Sequence, residues 1–267
     1  MAATRTTPPT PTAPTGVPAS ALSSSTAILR TEFRLFCREA GALFWILAFP
    51  TLLLVVLGFI PEFRQPNEEM GGTRVIDLYV PVAVLLATIT AGIQSMPTVL
   101  TGYRERGVLR RLRVTPARPA SLLVAQLLLH GAAVLVSGAV ALTVGRLVYD
   151  VPLPQQPFGY AVAFVLATFA SLAIGTLISA FSRTTKISGV IGTVVFFPMM
   201  FTSGVWLPVQ AMPDVVRNIV EWTPLGAASQ ALDAAAGGSW PAWLDLLVTA
   251  VWGVVVVAGA ARWFRWE

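Results

Sequence analysis

The chain has 267 residues, of which 55% are hydrophobic and only 12% are charged. A water-soluble domain of this length needs a polar surface that so few charged residues cannot provide, so the composition indicates an integral membrane protein. A disulfide-stabilised scaffold is excluded because Cys37 is the only cysteine. A metal site built from several His and Cys ligands is excluded because His130 is the only histidine.

Six long apolar segments are separated by groups of charged residues. Five of them contain no Asp, Glu, Lys or Arg, and the sixth contains only Asp245. A helix needs about 20 apolar residues to cross the ~30 Å core of a bilayer. Helices are predicted because a spanning backbone must satisfy its own hydrogen bonds and alternating barrel strands are absent. The predicted fold is an all-α membrane protein with six transmembrane helices, at about 41–60, 78–100, 120–145, 159–181, 187–206 and 241–261.

The charge distribution predicts the orientation of these helices. With a cytoplasmic N-terminus, 14 of the 18 basic residues fall on the cytoplasmic side, and 9 of the 13 acidic residues fall outside. Loops rich in Arg and Lys are retained in the cytoplasm. Because the number of spans is even, we predict that both termini are cytoplasmic.

The N-terminal region divides into two parts before the first span. Residues 1–20 contain five Pro and six Thr and no apolar core, so a disordered cytoplasmic tail is predicted over 1–21, followed by a membrane domain over 22–267. In residues 22–38, Leu29, Phe33 and Phe36 fall on one helical stripe and three arginines on another. This pattern predicts a helix in the inner membrane interface, in preference to a polar extension of the first span.

The loop at 101–118 contains six arginines. A short helix is predicted within it, with Val108, Leu109 and Leu112 on one face and Thr115-Pro116 at its end. One interpretation is an anchor for anionic lipid headgroups, and the other is a docking helix for a cytoplasmic partner. Nucleic-acid binding is not expected, because the basic residues lie against the membrane and no aromatic residues alternate with them.

The segment 207–240, on the outer side, contains two apolar pieces that are too short to cross the membrane, at 215–220 and 225–236. Four tryptophans flank them, as is typical of a membrane interface. We predict re-entrant helices that enter from outside and return, with an ordinary amphipathic surface loop as the alternative. The tryptophans are Trp206, Trp222, Trp240 and Trp243.

Catalytic and nucleotide-binding patterns are missing. The sequence has no Gly-x-x-x-x-Gly-Lys-Ser/Thr loop and no Gly-x-Ser-x-Gly elbow, so neither an enzyme nor a bound cofactor is predicted. Gln126 and His130 lie one turn apart within the third span. Polar residues at this depth are candidates for function, but hydrogen bonding between helices is the favoured interpretation.

Two further segments carry a recognisable pattern. Residues 103–116 read Tyr-Arg-Glu-Arg-Gly-Val-Leu-Arg-Arg-Leu-Arg-Val-Thr-Pro. This segment resembles the Glu-Arg-Glu-x-Gly-Thr-Leu-x-x-Leu-x-x-(Ser/Thr)-Pro loop of the ABC-2 type transporter permeases. The departures are Tyr103 where Glu is frequent and Val108 where Thr is frequent. The second segment, 203–208, is similar to the family's Ser-Gly-x-x-x-Pro signature and is followed by Met212-Pro213 and Pro224-Leu225. The six-span arrangement matches too, and the drug exporters of the daunorubicin-resistance type are the most similar group.

The resemblance implies half of an efflux transporter in a bacterial inner membrane. Such a permease pairs with a second permease chain, for which a homodimer is expected, and binds two copies of a separate ATPase that holds ATP and Mg. The basic loop then becomes the coupling helix, in which Gly107 allows close approach of backbones. The implied coupling residues are Arg104, Glu105, Arg106, Gly107, Val108, Leu109 and Leu112.

The substrate is expected to be amphiphilic and drug-like or lipid-like, and membrane lipid is a further partner. A flexible apolar surface near the end of the fifth span is the candidate substrate path. Lipid-facing or packing roles are the alternative for these side chains, and a non-transporting assembly or sensor subunit is the alternative function. The candidate path residues are Phe196, Phe197, Met199, Met200, Phe201 and Trp206.

Overall fold

A computed structural model describes residues 21–68, 72–112 and 119–263, so the predicted tail lies almost entirely outside the described residues. Within these ranges the chain is helical, and its extended pairing is limited to one bridge between Pro66 and Arg74. Short 3₁₀ turns lie at Pro61–Arg64 and Val209–Ala211. The helices are α1 (Ala21–Phe36), α2 (Ala40–Gly58), α3 (Val75–Glu105), α4 (Val108–Leu112), α5 (Pro119–Tyr149), α6 (Pro157–Phe181), α7 (Thr185–Thr202), α8 (Asp214–Val220), α9 (Pro224–Ala236) and α10 (Trp243–Trp263).

The predicted all-α membrane protein with six spans is confirmed. Six of these helices (α2, α3, α5, α6, α7 and α10) are long and apolar enough to cross a bilayer. Their limits differ from the predicted ones mainly in α3, which continues to Glu105, in α5, which continues to Tyr149, and in α7, which ends at Thr202. The earlier end of α7 follows from Gly204, whose φ of 85° is left-handed and stops the helix.

The centre of the bundle is α3. Every residue from Val80 to Ile93 is buried, and α2, α5, α6, α7 and α9 all pack against this helix. Small residues allow the closest contacts, because Gly92 of α3 and Gly175 of α6 bring two backbones together. The apolar run that the sequence shows at this position is therefore the protein core and not a lipid-facing surface.

The amphipathic helix α1 lies against α5 at one end of the bundle. The same end, the basic end, carries the basic loop 101–118. The arginines at 30, 34 and 38 are exposed, and Phe33, on the apolar stripe that the sequence assigns to the membrane interface, is exposed too. Phe36 and Glu32 are buried against the protein.

At the opposite end, α9 runs inside the bundle between α6 and α10. Its start lies deep, because the indole of Trp252, the tenth residue of α10, donates to the Trp222 carbonyl (2.9 Å). The end of α9 lies at the start of α6, where the backbone N–H of Gln156 donates to the Ala235 carbonyl (3.0 Å). With 13 residues, or about 20 Å, α9 cannot cross a bilayer. These contacts support the prediction of a re-entrant helix there.

Candidate functional site

The basic loop turns sharply between α3 and α4. Gly107 makes this turn with a left-handed φ of 68°, a conformation that residues with a Cβ rarely adopt. No described atom lies within 4 Å of a Cβ built at this position. Gly107 is therefore needed for backbone conformation, and the space beside it leaves room for the close approach of a partner's backbone that the sequence predicts.

Arg104 and Glu105, which immediately precede this turn, contact the end of α6 and the start of α7. The Arg104 Nη1 donates to the carbonyls of Ser179 (2.8 Å) and Ser182 (2.7 Å). The Glu105 carboxylate accepts hydrogen bonds from the backbone N–H (3.1 Å) and the hydroxyl (2.9 Å) of Thr185. Arg104 and Glu105, both predicted coupling residues, therefore form hydrogen bonds with other parts of the same chain.

The remaining predicted coupling residues differ in exposure. Arg106 and Arg111 are exposed and Val108 is half-buried, whereas Leu109 is only 4% exposed and its side chain is turned into the protein. The side chains of Arg110 and Leu112, and the whole of 113–118, lie outside the described part of the chain. The outward surface of the described loop is therefore mainly cationic, with one apolar contribution from Val108.

A second candidate site is a cavity of about 540 Å³ between α2, α3 and α7. Its wall is mostly aromatic and apolar, with amide and hydroxyl groups contributed by α3 and one carboxylate at the start of α2. This composition suits a molecule with a large apolar body and a few polar groups. The lining residues are Glu39, Ala42, Trp45, Phe49, Thr90, Gln94, Ser95, Thr98, Phe196, Phe197, Met200 and Trp206.

The structure brings together four of the six predicted path residues, since Phe196, Phe197, Met200 and Trp206 line this cavity. The other two lie elsewhere: Met199 packs against the core, and Phe201 is exposed outside the lining. The contributions of α2 and α3 do not follow from the predicted path residues. A local signal for them exists, because a proline follows each of the two helical segments that face the cavity.

These segments are π-helical turns at Phe44–Ala48 and Thr90–Ser95. Proline has no N–H to donate to the carbonyl one turn earlier, so Pro50 and Pro97 each interrupt the regular ladder. At Pro50 the lost bond is replaced, because the Ser137 hydroxyl of α5 donates to the Ile46 carbonyl (2.7 Å). The widened turns shape the cavity wall, and such turns are frequent at functional sites.

A buried polar cluster links α1 to α3 and α5 beside the basic loop. The Glu32 carboxylate accepts hydrogen bonds from the Tyr103 hydroxyl (2.6 Å) and the Gln126 amide (2.6 Å). One turn along α5, His130 lies 3.1 Å from the Ser95 hydroxyl. Gln126 and His130 thus form the hydrogen bonds between helices that the sequence favours. Burial raises the pKa of Glu32, and the two donors partly oppose that rise.

A comparison with known protein families identifies the family of this helical bundle. The sequence pattern of the ABC-2 type transporters matches residues 24–235. The chain belongs to the ABC-2 type transporter family. The resemblance seen in the sequence is confirmed, and the protein is an integral membrane permease component of an ABC transporter.

Two bacterial transport proteins are similar to this ABC-2 permease. The "Putative transport permease YvfS" of Bacillus subtilis (strain 168) is 25% identical over 221 residues, which are 81% of this chain and 87% of that protein. The "Inner membrane transport permease YhhJ" of Escherichia coli (strain K12) is 28% identical over 171 residues, which are 60% of this chain and 46% of that protein. Members of this family generally work with an ABC ATPase subunit, so this permease is the membrane component of such a system.

Proposed function

We propose that this permease forms the membrane half of an ATP-driven exporter in a bacterial inner membrane. Two copies of a separate ATPase bind ATP and Mg²⁺, and a second, identical permease chain completes the pathway. The observation that carries the proposal is the family match over residues 24–235 together with six helices of transmembrane length. This sequence has no phosphate-binding loop, which supports a separate ATPase polypeptide as the energy source.

The basic end faces the cytoplasm in this proposal, and the basic loop docks on the ATPase. The exposed Arg106 and Arg111 meet acidic side chains of the ATPase, and the half-buried Val108 adds an apolar contact. A charged contact of this kind mainly sets specificity and the rate of association. Arg104 and Glu105 are not proposed to bind the ATPase themselves, because both are engaged within the permease.

The cavity between α2, α3 and α7 is the proposed substrate path. It is lined by Trp45, Phe49 and Phe197 on its apolar side and by Gln94 on its polar side. The π-helical turns of α2 and α3 lie on two of its walls, where a local change of helical register can alter its width. We infer an amphiphilic, drug-like or lipid-like substrate that is moved outward.

Reconstitution with the candidate ATPase tests this proposal. The purified permease alone should neither bind nor hydrolyse ATP, whereas the two proteins should co-purify and hydrolyse ATP in liposomes. An amphiphilic substrate should stimulate this hydrolysis and accumulate on the side opposite the ATPase. A complex that binds the ATPase but moves no amphiphile would instead indicate an assembly or sensor subunit, and tight ATP binding by the permease alone would contradict the proposal.

A further inference from the structure

The connections at the basic end differ greatly in length. α6 ends at Phe181 and α7 begins at Thr185, so only residues 182–184 join these two helices. A connection of three residues spans at most about 10 Å and cannot form a docking helix of its own. The loop between α3 and α5 runs from 106 to 118 and includes α4. The long loop therefore offers a docking partner much more surface than the connection to α7 does.

Glu105 supplies a contact at the start of α7. The first N–H groups of a helix lack partners within it and carry a partial positive charge. The Glu105 carboxylate accepts from the Thr185 N–H at 3.1 Å and from its hydroxyl at 2.9 Å, so a negative charge lies at this positive helix end. The Glu105 side chain is exposed, which allows this contact to break and re-form.

Arg104 supplies the complementary contact at the end of α6. The last carbonyls of a helix lack partners and carry a partial negative charge. The Arg104 guanidinium donates to the carbonyls of Ser179 and Ser182, at 2.8 and 2.7 Å. Two consecutive residues at the end of α3 thus hold the end of one span and the start of the next, each with the charge that its helix end favours.

The helix held by Glu105 also forms a wall of the cavity. Phe196, Phe197 and Met200 lie on α7, three to four turns beyond Thr185. Between these points α7 packs closely on α3, since a Cβ at Gly192 would lie 2.9 Å from the Ile93 carbonyl oxygen. A shift of the start of α7 is therefore carried along a packed helix to the cavity side chains.

We propose that Arg104 and Glu105 form a clamp that transmits movement of the basic loop to α7 and to the cavity. This inference rests on the proposed function, because it assumes that the ATPase docks on the basic loop. Both are positioning residues, which act through the ends of α6 and α7. The clamp explains how one loop can control a span whose own connection at this end is only three residues long.

The first test uses the complex of permease and ATPase in nanodiscs. An environment-sensitive fluorophore on Thr193→Cys, in a Cys37→Ala background, reports movement of α7, because residue 193 is exposed on that helix. ATP with Mg²⁺ and vanadate should change its fluorescence in the otherwise unaltered protein. With Glu105→Ala the change should be about two- to fivefold smaller, as expected when one exposed charged contact is lost. Binding of the ATPase should stay within about twofold of the unaltered protein.

Variants on the other side of the contact make the result specific. Thr185→Ala should weaken the response in the same direction, and adding it to Glu105→Ala should cause little further loss, because both changes remove one contact. Lys186→Ala is the matched control, since Lys186 is exposed in the same helical turn. A full response in Glu105→Ala would overturn the clamp, and so would loss of ATPase binding, which would make Glu105 a docking residue.

A second measurement does not depend on the ATPase. In the purified permease, amide hydrogen exchange in the first turn of α7 should be faster in Glu105→Ala than in Lys186→Ala, because the start of the helix frays without its acceptor. Equal exchange in the two variants would overturn the clamp even if ATPase docking is correct. If the permease binds no ATPase, the proposed function is wrong. The exchange measurement then still tests whether Glu105 stabilises the start of α7.

Discussion

A Cβ atom at Gly175 would lie 1.9 Å from the carbonyl oxygen of Gly92, so α3 and α6 cross with backbone directly against backbone. The contact is mutual, because a Cβ at Gly92 would lie 2.5 Å from the Ser171 hydroxyl oxygen. That hydroxyl donates to the Thr88 carbonyl (2.9 Å). The π-helical turn of α3 is therefore fixed from the side of α6, and this turn contributes Thr90, Gln94 and Ser95 to the cavity wall.

We expect Gly175→Ala to destabilise the permease. The new methyl group would overlap backbone atoms, which cannot move aside as a flexible side chain can, and overpacking of a core costs about 1–3 kcal/mol or more. Thermal unfolding of the purified protein in detergent measures the effect. Gly189→Ala is the control, because no described atom lies within 4 Å of its Cβ and alanine favours a helix. Equal melting temperatures for the two variants would contradict the close crossing.

Glu32 should make stability depend on pH. Its folded-state pKa is raised above the ordinary 4.5 by burial. The folded protein therefore holds this proton more tightly than the unfolded chain, and the stability due to this group falls as the pH rises from 4.5 through the raised value. Glu32→Gln removes the titration. Over this range the melting temperature of the unaltered protein should fall relative to that of Glu32→Gln.

A control and a partner variant define the Glu32 result. Glu39→Gln is the matched control, since it removes the carboxylate of an exposed acid close to α1. Tyr103→Phe removes one donor to Glu32 and should steepen the profile, because a hydrogen bond to the carboxylate favours its charged form. Parallel profiles for Glu32→Gln and the unaltered protein would show that burial of Glu32 has no effect on stability.

The sequence alone predicted the number of spans and most of their positions. Charge-free segments of about 20 residues or more are sufficient for this, because the cost of burying charges in lipid depends on local composition. The partner of Glu105 could not be predicted, since Thr185 lies 80 residues away and no periodicity connects them. The burial of Glu32 was equally hidden, because a carboxylate between exposed arginines normally faces solvent. Pro50 and Pro97 gave a local signal for irregular turns, but their common cavity depends on how α2, α3 and α7 pack.

The cavity can be blocked with a single substitution. Thr98 lines it, is exposed, and donates its hydroxyl to the Gln94 carbonyl (2.9 Å). We expect Thr98→Trp to fill the space and to reduce binding of a fluorescent phospholipid analogue by about tenfold, or 1.4 kcal/mol. Co-purification of the ATPase should be unchanged, because the cavity does not include the basic loop.

Thr193 offers a closely matched control for this substitution. It is also exposed, donates to the carbonyl four residues earlier at 2.9 Å, and lies outside the cavity lining. Thr193→Trp should therefore bind the analogue normally. If both tryptophan variants bind the analogue as the unaltered protein does, the cavity is not the path for an amphiphile of this class.

The orientation of the bundle can be measured by cysteine labelling, and the charge distribution predicts the result. Cys37 is exposed and must first be replaced by alanine, so that introduced cysteines are the only targets. Glu68 and Arg111 are both exposed, the first between α2 and α3 and the second in the basic loop. Because 14 of 18 basic residues lie on the predicted cytoplasmic side, a membrane-impermeant maleimide should label Glu68→Cys in intact cells and should not label Arg111→Cys. Permeabilised cells should label both, which shows that each cysteine is accessible. Labelling of Arg111→Cys alone in intact cells would reverse the orientation, and it would remove the ATPase docking assignment with it, since the basic loop would then face away from any cytoplasmic ATPase.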